Sequence, residues 1–331
     1  MITKFLKSLY TKVFINIIVE KLQTVVYVEV CSKKEVLQSI RKSFDTTTVN
    51  HKMNEFIQTY VKESPFCYIS VLDGSPLQGA MPTCVTSEMG RYCDINSSEY
   101  RCFSKDWAFY TSEYDLEAIK YEYRTIGVDF IFSPFVMMAN FFRDKIDATL
   151  SMFVLVEDNY LSFAVFDNSK LLYAEYLDMK HHKDDDDLLM ESPEEDELEG
   201  INLEEVNLEN DSMVFDDFAN IEELDESDVL DEFSEAHEVE QIVEKKIDVS
   251  QDGFSEDYQR FSLIQSALNT FYKDSKYDSK FVETIYIADG IGISPDLKSY
   301  LEEEMFLSVY IRKIDLCISL CDMAKAEADE I

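Results

Sequence analysis

The sequence predicts an α/β (α+β) protein in which mixed sheets are flanked by helices, interrupted by one long acidic insertion. Three observations predict it. Strand-length runs of β-branched and aromatic residues recur along the chain. Amphipathic stretches of helical period separate them. A block over residues 183–245 carries about 27 acids against two bases and shows no sustained period, so it is expected to be a disordered loop.

The elements follow in order. "KVFINIIVEKLQTVVYVEVC" reads as two strands, Val13–Val19 and Thr24–Cys31, around a short polar turn. "KKEVLQSIRKSF" reads as a helix, with Val36, Ile40 and Phe44 on one face. "NHKMNEFIQTYVKES" is a second helix, presenting Met53, Phe56, Ile57, Tyr60 and Val61. "PFCYISVLDGSP" is a buried strand that ends in an Asp-Gly turn. Residues 74–112 are rich in Gly, Pro, Ser and Cys, and pattern does not resolve them. "YDLEAIKYEYRTIG" is a helix, "VDFIFS" a short strand, and "PFVMMANFFRDKI" a helix with Pro134 in its first turn, where a missing N–H costs nothing.

"SMFVLVEDNYLSFAVFDNSKLLYAEYLD" is the clearest segment. It reads as a meander of strands Met152–Val156, Tyr160–Phe166 and Leu171–Leu177, joined by tight turns. After the acidic block, "FSEDYQRFSLIQSALNTFYKD" is a helix facing Tyr258, Phe261, Ile264, Leu268 and Phe271 to a core. A strand, a Ser-Pro helix, a strand and a last helix complete the chain. No internal sequence repeat is visible. The expected organisation is a first lobe over 1–148, a second over 149–182 and 246–331, and the acidic insertion over 183–245.

Composition excludes several functions. The net charge of −37 repels phosphate backbones, so no direct nucleic-acid partner is expected. Only 8 glycines are available for phosphate loops, whereas 23 Phe and 19 Tyr supply a large core. Seven cysteines, an odd count, argue for reduced thiols in a cytoplasm. Cys84, Cys93 and Cys102 are too widely spaced for a zinc site and read as free thiols. Cys317 and Cys321 are one helical turn apart and read as packing. With four histidines, His181 and His182 beside the acidic block, no nucleophilic triad or metal site is expected. The basic start "MITKFLKSLY" reads as a packed helix, with weak membrane contact as the other reading. Inside the acidic block, Phe215, Phe218, Ile221 and Leu224 are the candidate partner-binding residues, spaced as one face of a helix that folds in a partner's groove.

One motif carries a likeness. "IYIADGIGISPDLKSYLEEEMFLSVYI" is a strand, a Gly-containing turn, a Ser-Pro helix start and a second strand, and it follows a meander and a long helix. This order resembles the second half of the two-lobed actin-like (ribonuclease H-like) ATPase fold. More closely, it resembles the PilM-type subunit of type IV pilus and type II secretion platforms, including the GspL cytoplasmic domain. The resemblance implies that Asp158, Asn159, Asp289, Gly290 and Gly292 mark a vestigial nucleotide cleft. The departures are at the phosphate loops. The first hairpin turn is Glu20-Lys21-Leu22-Gln23 and the second Glu157-Asp158-Asn159-Tyr160, both without glycine. Close approach of backbone N–H groups to phosphate needs glycine, and the acids add charge facing a triphosphate unless Mg²⁺ intervenes, held by Asp158 through a water.

The expectation is therefore a protein without catalytic residues, cofactor or metal. It is read as a pseudo-ATPase scaffold at the cytoplasmic face of the inner membrane, in a pilus, secretion or DNA-uptake (competence) platform. Its partners would be the peptide tail of a bitopic inner-membrane protein, through which it reaches the membrane, and a secretion or pilus motor ATPase. Two alternatives stand beside this: an actin-like ATPase or nucleotide-gated switch using ATP and Mg²⁺, and an acidic interaction protein acting through its loop.

Overall fold

The structure is a computed structural model that describes residues 10–33, 35–103, 105–179 and 251–330. The start of the chain, His181, His182 and the whole acidic insertion, with Phe215, Phe218, Ile221 and Leu224, lie outside the described residues.

Strands β1 (Lys12–Val19), β2 (Thr24–Ser32) and β3 (Glu35–Phe44) form an antiparallel meander. Helix α1 (His51–Val61), capped by the Asn50 side chain, leads back to β4 (Phe66–Leu72), parallel to β1. After an excursion through β5 (Gln78–Met81), α2 (Thr86–Met89), β6 (Ser98–Phe103) and β7 (Trp107–Ser112), helix α3 (Glu113–Glu122) returns the chain to β8 (Phe130–Phe132). Two helices, α4 (Pro134–Phe141) and α5 (Arg143–Ile146), then cross to the second lobe. There β9 (Ser151–Val156), β10 (Tyr160–Asp167) and β11 (Lys170–Asp178) make another meander. Helix α6 (Gln251–Lys273), β12 (Thr284–Asp289), α7 (Pro295–Glu303), β13 (Ser308–Lys313) and α8 (Leu316–Glu330) complete it.

The strand orders are β3-β2-β1-β4-β8 and β11-β10-β9-β12-β13. In each sheet the meander's first strand is parallel to the fourth, and the fourth to the fifth. This is the ribonuclease H-like topology twice over, the two-lobed actin-like fold. The duplication is structural and leaves no trace of repeated sequence. Both faces of the central strands of each sheet are covered. Met53 and Ile57 of α1 pack one face of the first sheet, and Phe261, Ile264, Leu297 and Leu301 of α6 and α7 pack one face of the second. Between the sheets, Phe135, Met138 and Phe142 meet Leu320, Cys321 and Ala324 of α8 and the inner strand residues Phe14, Phe153 and Phe166. The continuous burial of β1, β2, β9 and β10 follows, and explains their near-continuous apolar runs.

Three expectations are corrected. Glu35–Phe44 is a strand, not a helix. It pairs with β2 through a bulge at Val30/Cys31, stands at the sheet's edge, and exposes Val36 and Leu37; of its residues only Phe44 is buried. Satisfying β2's backbone outweighs the helical preference of Glu, Leu, Gln, Arg and Lys. Residues 74–112, for which the sequence pattern gave no expectation, contain a three-stranded sheet of order β5-β7-β6. Cys84 and Cys102, expected as free thiols, form a disulfide that ties the segment after β5 to β6; Cys93 remains free. Tyr258, expected in the core, is 52% exposed. Among the described residues no helix is long and apolar enough to cross a membrane.

Candidate functional site

The ends of β1, β4, β9 and β12 converge on a cleft between the lobes with a cavity of about 550 Å³. The first hairpin turn, Glu20–Gln23, closes on itself: the Glu20 N–H donates to the Gln23 carbonyl at 2.8 Å, and the Gln23 amide to the Glu20 carboxylate at 2.6 Å. Its remaining feature points across the cleft. The Lys21 backbone N–H donates to Asp158 Oδ2 at 2.8 Å, and Lys21 Nζ pairs with Glu256 at 3.1 Å. The two turns that occupy the phosphate-loop positions are thus bonded to each other.

The turn after β12 is closed by its own side chain. Asp289 Oδ1 accepts from the backbone N–H groups of Ile291, Gly292 and Ile293 at 3.2, 2.7 and 3.1 Å. Gly292 has φ +88°, the left-handed region that glycine enters without strain. Gly290 is needed for space: a Cβ there would stand 2.7 Å from the Val156 carbonyl oxygen and 3.2 Å from Leu316. A Gly290→Ala variant is expected to lose about 1–3 kcal/mol, readable as a lower urea midpoint at unchanged m-value. A loss below about 0.5 kcal/mol would show that the β9–β12 contact gives way freely.

Behind this turn lies a buried ion network. Arg260 Nη1 donates to Asp257 Oδ1 at 2.7 Å and Nη2 to Glu256 Oε2 at 3.1 Å, while Asp257 Oδ2 accepts the Ser294 N–H at 3.1 Å. Ser294 in turn caps α7 by accepting from the Asp296 N–H. Burial raises the Glu256 carboxyl, but Lys21 and Arg260 outweigh it and leave it below the usual carboxylate range.

The acids at the strand ends behave differently. Glu157, directly after β9, is 8% exposed, and its Oε1 has no hydrogen-bond partner. Burial first, and the Asp73 charge second, push its carboxyl up to about 8. Asp73, directly after β4, is 1% exposed and also raised by burial, although Ser75 and Thr111 donate to it. Tyr176, on β11, has a buried hydroxyl without a partner, raised well above its ordinary value by burial and then by Glu157 and Asp73.

Of the residues singled out from sequence, Asp158, Asn159 and Gly290 line this cavity, whereas Asp289 and Gly292 do not. Sequence reasoning named Glu157 only as a turn acid facing the phosphate position, and it singled out neither Asp73 and Asp115 nor the Arg260 network. The available signal was an acid placed immediately after an apolar strand, in "YISVLD" and "MFVLVE".

A family model described as a domain of unknown function (DUF8341) matches residues 152–329, more than half of the chain. The chain belongs to the DUF8341 family. Its first lobe matches a second model, a domain of unknown function (DUF8569), over residues 10–139. The border between the two falls where α4 and α5 connect the lobes, so the DUF8341 region is the second lobe, Glu157 and the turn after β12 included. No curated protein matches the sequence. Among solved structures, the chain is similar to a Bacteroides thetaiotaomicron protein with an actin-like ATPase fold and unknown function, at 11% identity and TM-score 0.48, covering 97% of this chain and 98% of that one. It is similar to the PilM–PilN type IV pilus biogenesis complex at 8% identity and TM-score 0.47, covering 95% and 96%. It is also similar to the ethanolamine utilization protein EutJ from Carboxydothermus hydrogenoformans at 8% identity and TM-score 0.37, covering 94% and 89%.

Proposed function

We propose that the protein is a non-catalytic actin-like scaffold that docks a peptide of a partner protein and hydrolyses no nucleotide. One observation carries this reading: the Lys21 N–H is bonded to Asp158, joining the two turns between which a triphosphate would be cradled. The turn after β12, which the resemblance places on the adenosine side, is closed as well, its backbone N–H groups at 291–293 taken by Asp289. The cavity wall adds five acids, Glu20, Asp115, Glu122, Glu157 and Asp158, against one cation, Lys21, which is already paired with Glu256. Such a wall repels a polyanion.

The sequence resemblance supplies the class of partner. It is the cytoplasmic tail of a bitopic inner-membrane protein of a pilus, secretion or DNA-uptake platform, with the platform's motor ATPase as a second contact. The acidic insertion would act as an electrostatic arm that speeds encounter with a basic partner and weakens with salt.

Thermal unfolding with ATP and Mg²⁺ together, against each alone, tests the scaffold reading. The expected result is a shift below about 1 °C at millimolar ATP, because a ligand that does not bind the native state cannot stabilise it. Stabilisation by several degrees with Mg-ATP, absent with Mg²⁺ alone, overturns it.

A further inference from the structure

The cleft holds a group that the scaffold reading leaves unused. Four of its five acids have a donor: Gln23 on Glu20, the Leu77 N–H on Asp115, the Val49 N–H on Glu122 and the Lys21 N–H on Asp158. The fifth, Glu157, lines the cavity while more than nine-tenths buried, with Oε1 unpartnered. A buried carboxylate without a donor is costly, and a charge-assisted hydrogen bond from a cation relieves that cost. Beside it, Tyr160 lines the same cavity and stacks on Tyr176 with ring centroids 4.8 Å apart, so the wall next to the acid is aromatic. Carboxylate and aromatic face together are the chemistry that recognises an ammonium or guanidinium group.

We propose that the cleft is a receptor for a lysine or arginine side chain of the docked partner, whose cationic head seats against the Glu157 carboxylate and along the Tyr160 ring. The inference rests on the scaffold reading for the source of the cation and deepens it by naming the partner's anchor. A bare metal ion fits less well. Among the described residues no group of three or more His, Cys, Asp or Glu side chains is placed to hold one, and a hard divalent cation needs about six oxygen ligands. The cavity of about 550 Å³ lies in the size range of ligand pockets and has room for a side chain with the peptide backbone that carries it.

The seat is linked to protons. Asp73 after β4 is the charge acting on Glu157, and Asp178 on β11 and Asp115 on α3 act on the adjoining Tyr160. With its carboxyl raised to about 8, Glu157 is largely protonated at pH 7 before binding. Seating a cation requires the carboxylate, so binding at pH 7 releases about one proton and tightens as pH rises toward 8.

Calorimetry on the full chain tests this at physiological salt, with three capped peptides that differ only in a central Lys, Arg or Ala, plus spermidine and Mg²⁺. Expected are one-to-one binding of the Lys and Arg peptides but not the Ala peptide, and release of about one proton at pH 7, obtained from buffers of different ionisation enthalpy. Glu157→Gln is expected to weaken binding at least about tenfold and abolish the proton release, and Tyr160→Leu to weaken it about threefold. Equal binding by Glu157→Gln overturns the proposal, since it places the peptides on another acidic surface. So does binding of spermidine or Mg²⁺ through Glu157 with neither peptide bound. The Mg-ATP measurement is separate: failure there removes the scaffold reading, whereas failure here with a null ATP result removes only the cation seat.

Discussion

Replacing Arg260 by alanine is expected to cost about 3–5 kcal/mol of unfolding free energy, because it leaves a buried carboxylate without its cation. Arg260 and Asp257 are 3% and 1% exposed, and their contact is 2.7 Å long. Asp257 also accepts the Ser294 N–H, so its loss of order reaches the cap of α7 and the turn that carries Gly290. The pair is expected to be worth far less as a whole than either half alone. Removing both charges, in Arg260→Met with Asp257→Asn, is expected to recover most of the loss, since desolvation of each ion offsets much of their attraction. Urea unfolding of wild type, both single variants and the double variant measures this. An Arg260→Ala loss within about 0.5 kcal/mol would show that water reaches Asp257 and that the network does not hold the turn in place.

Stability is expected to fall as pH rises between about 4.5 and 8, and Glu157→Gln is expected to remove most of that slope. The sign follows from proton binding. The carboxyl rises from 4.5 in the open chain to about 8 in the fold, so within that window the native state holds the extra proton. Its contribution is intact at low pH and is lost as pH climbs through the window, on the order of 4–5 kcal/mol at the upper end. Glutamine keeps the shape of the protonated acid and cannot ionise. The variant should therefore match wild type near pH 5 and exceed it by several kcal/mol near pH 9. Asp73 is raised in the same direction, so a smaller slope remains until Asp73→Asn is added. Parallel stability curves for wild type and Glu157→Gln would show that Glu157 is ionised and solvated at neutral pH. A protein that keeps so costly a carboxyl at a cavity wall fits a site that trades stability for recognition.

The elements that sequence alone foretold are those held by local rules. Short turns such as Glu157–Asn159 force adjacent strands into a meander, and Asn50, Ser133 and Ser294 cap helices that begin where the period of apolar residues begins. The stretch "ADGIGISP" was legible as a glycine turn between a strand and a Ser-Pro helix start, whereas the need for glycine at 290 against the Val156 carbonyl was visible only in the fold. Glu35–Phe44 was not legible, because its residues favour a helix and only the open edge of β2 makes it a strand. Nor was the Cys84–Cys102 link, since equal spacing with Cys93 leaves the pairing undetermined.

The site divides along the same line. Sequence by itself determined that the phosphate-loop positions lack glycine and carry Glu20, Lys21, Glu157 and Asp158, because residue identity alone decides whether a backbone can approach a phosphate. Only the tertiary structure decided that Lys21 bonds to Asp158 from 137 positions away, and that Glu157 stands buried with its Oε1 unpartnered. Both depend on two lobes meeting. Desolvation and hydrogen-bond supply are set by which chain segments surround a group, and no local pattern contains that information.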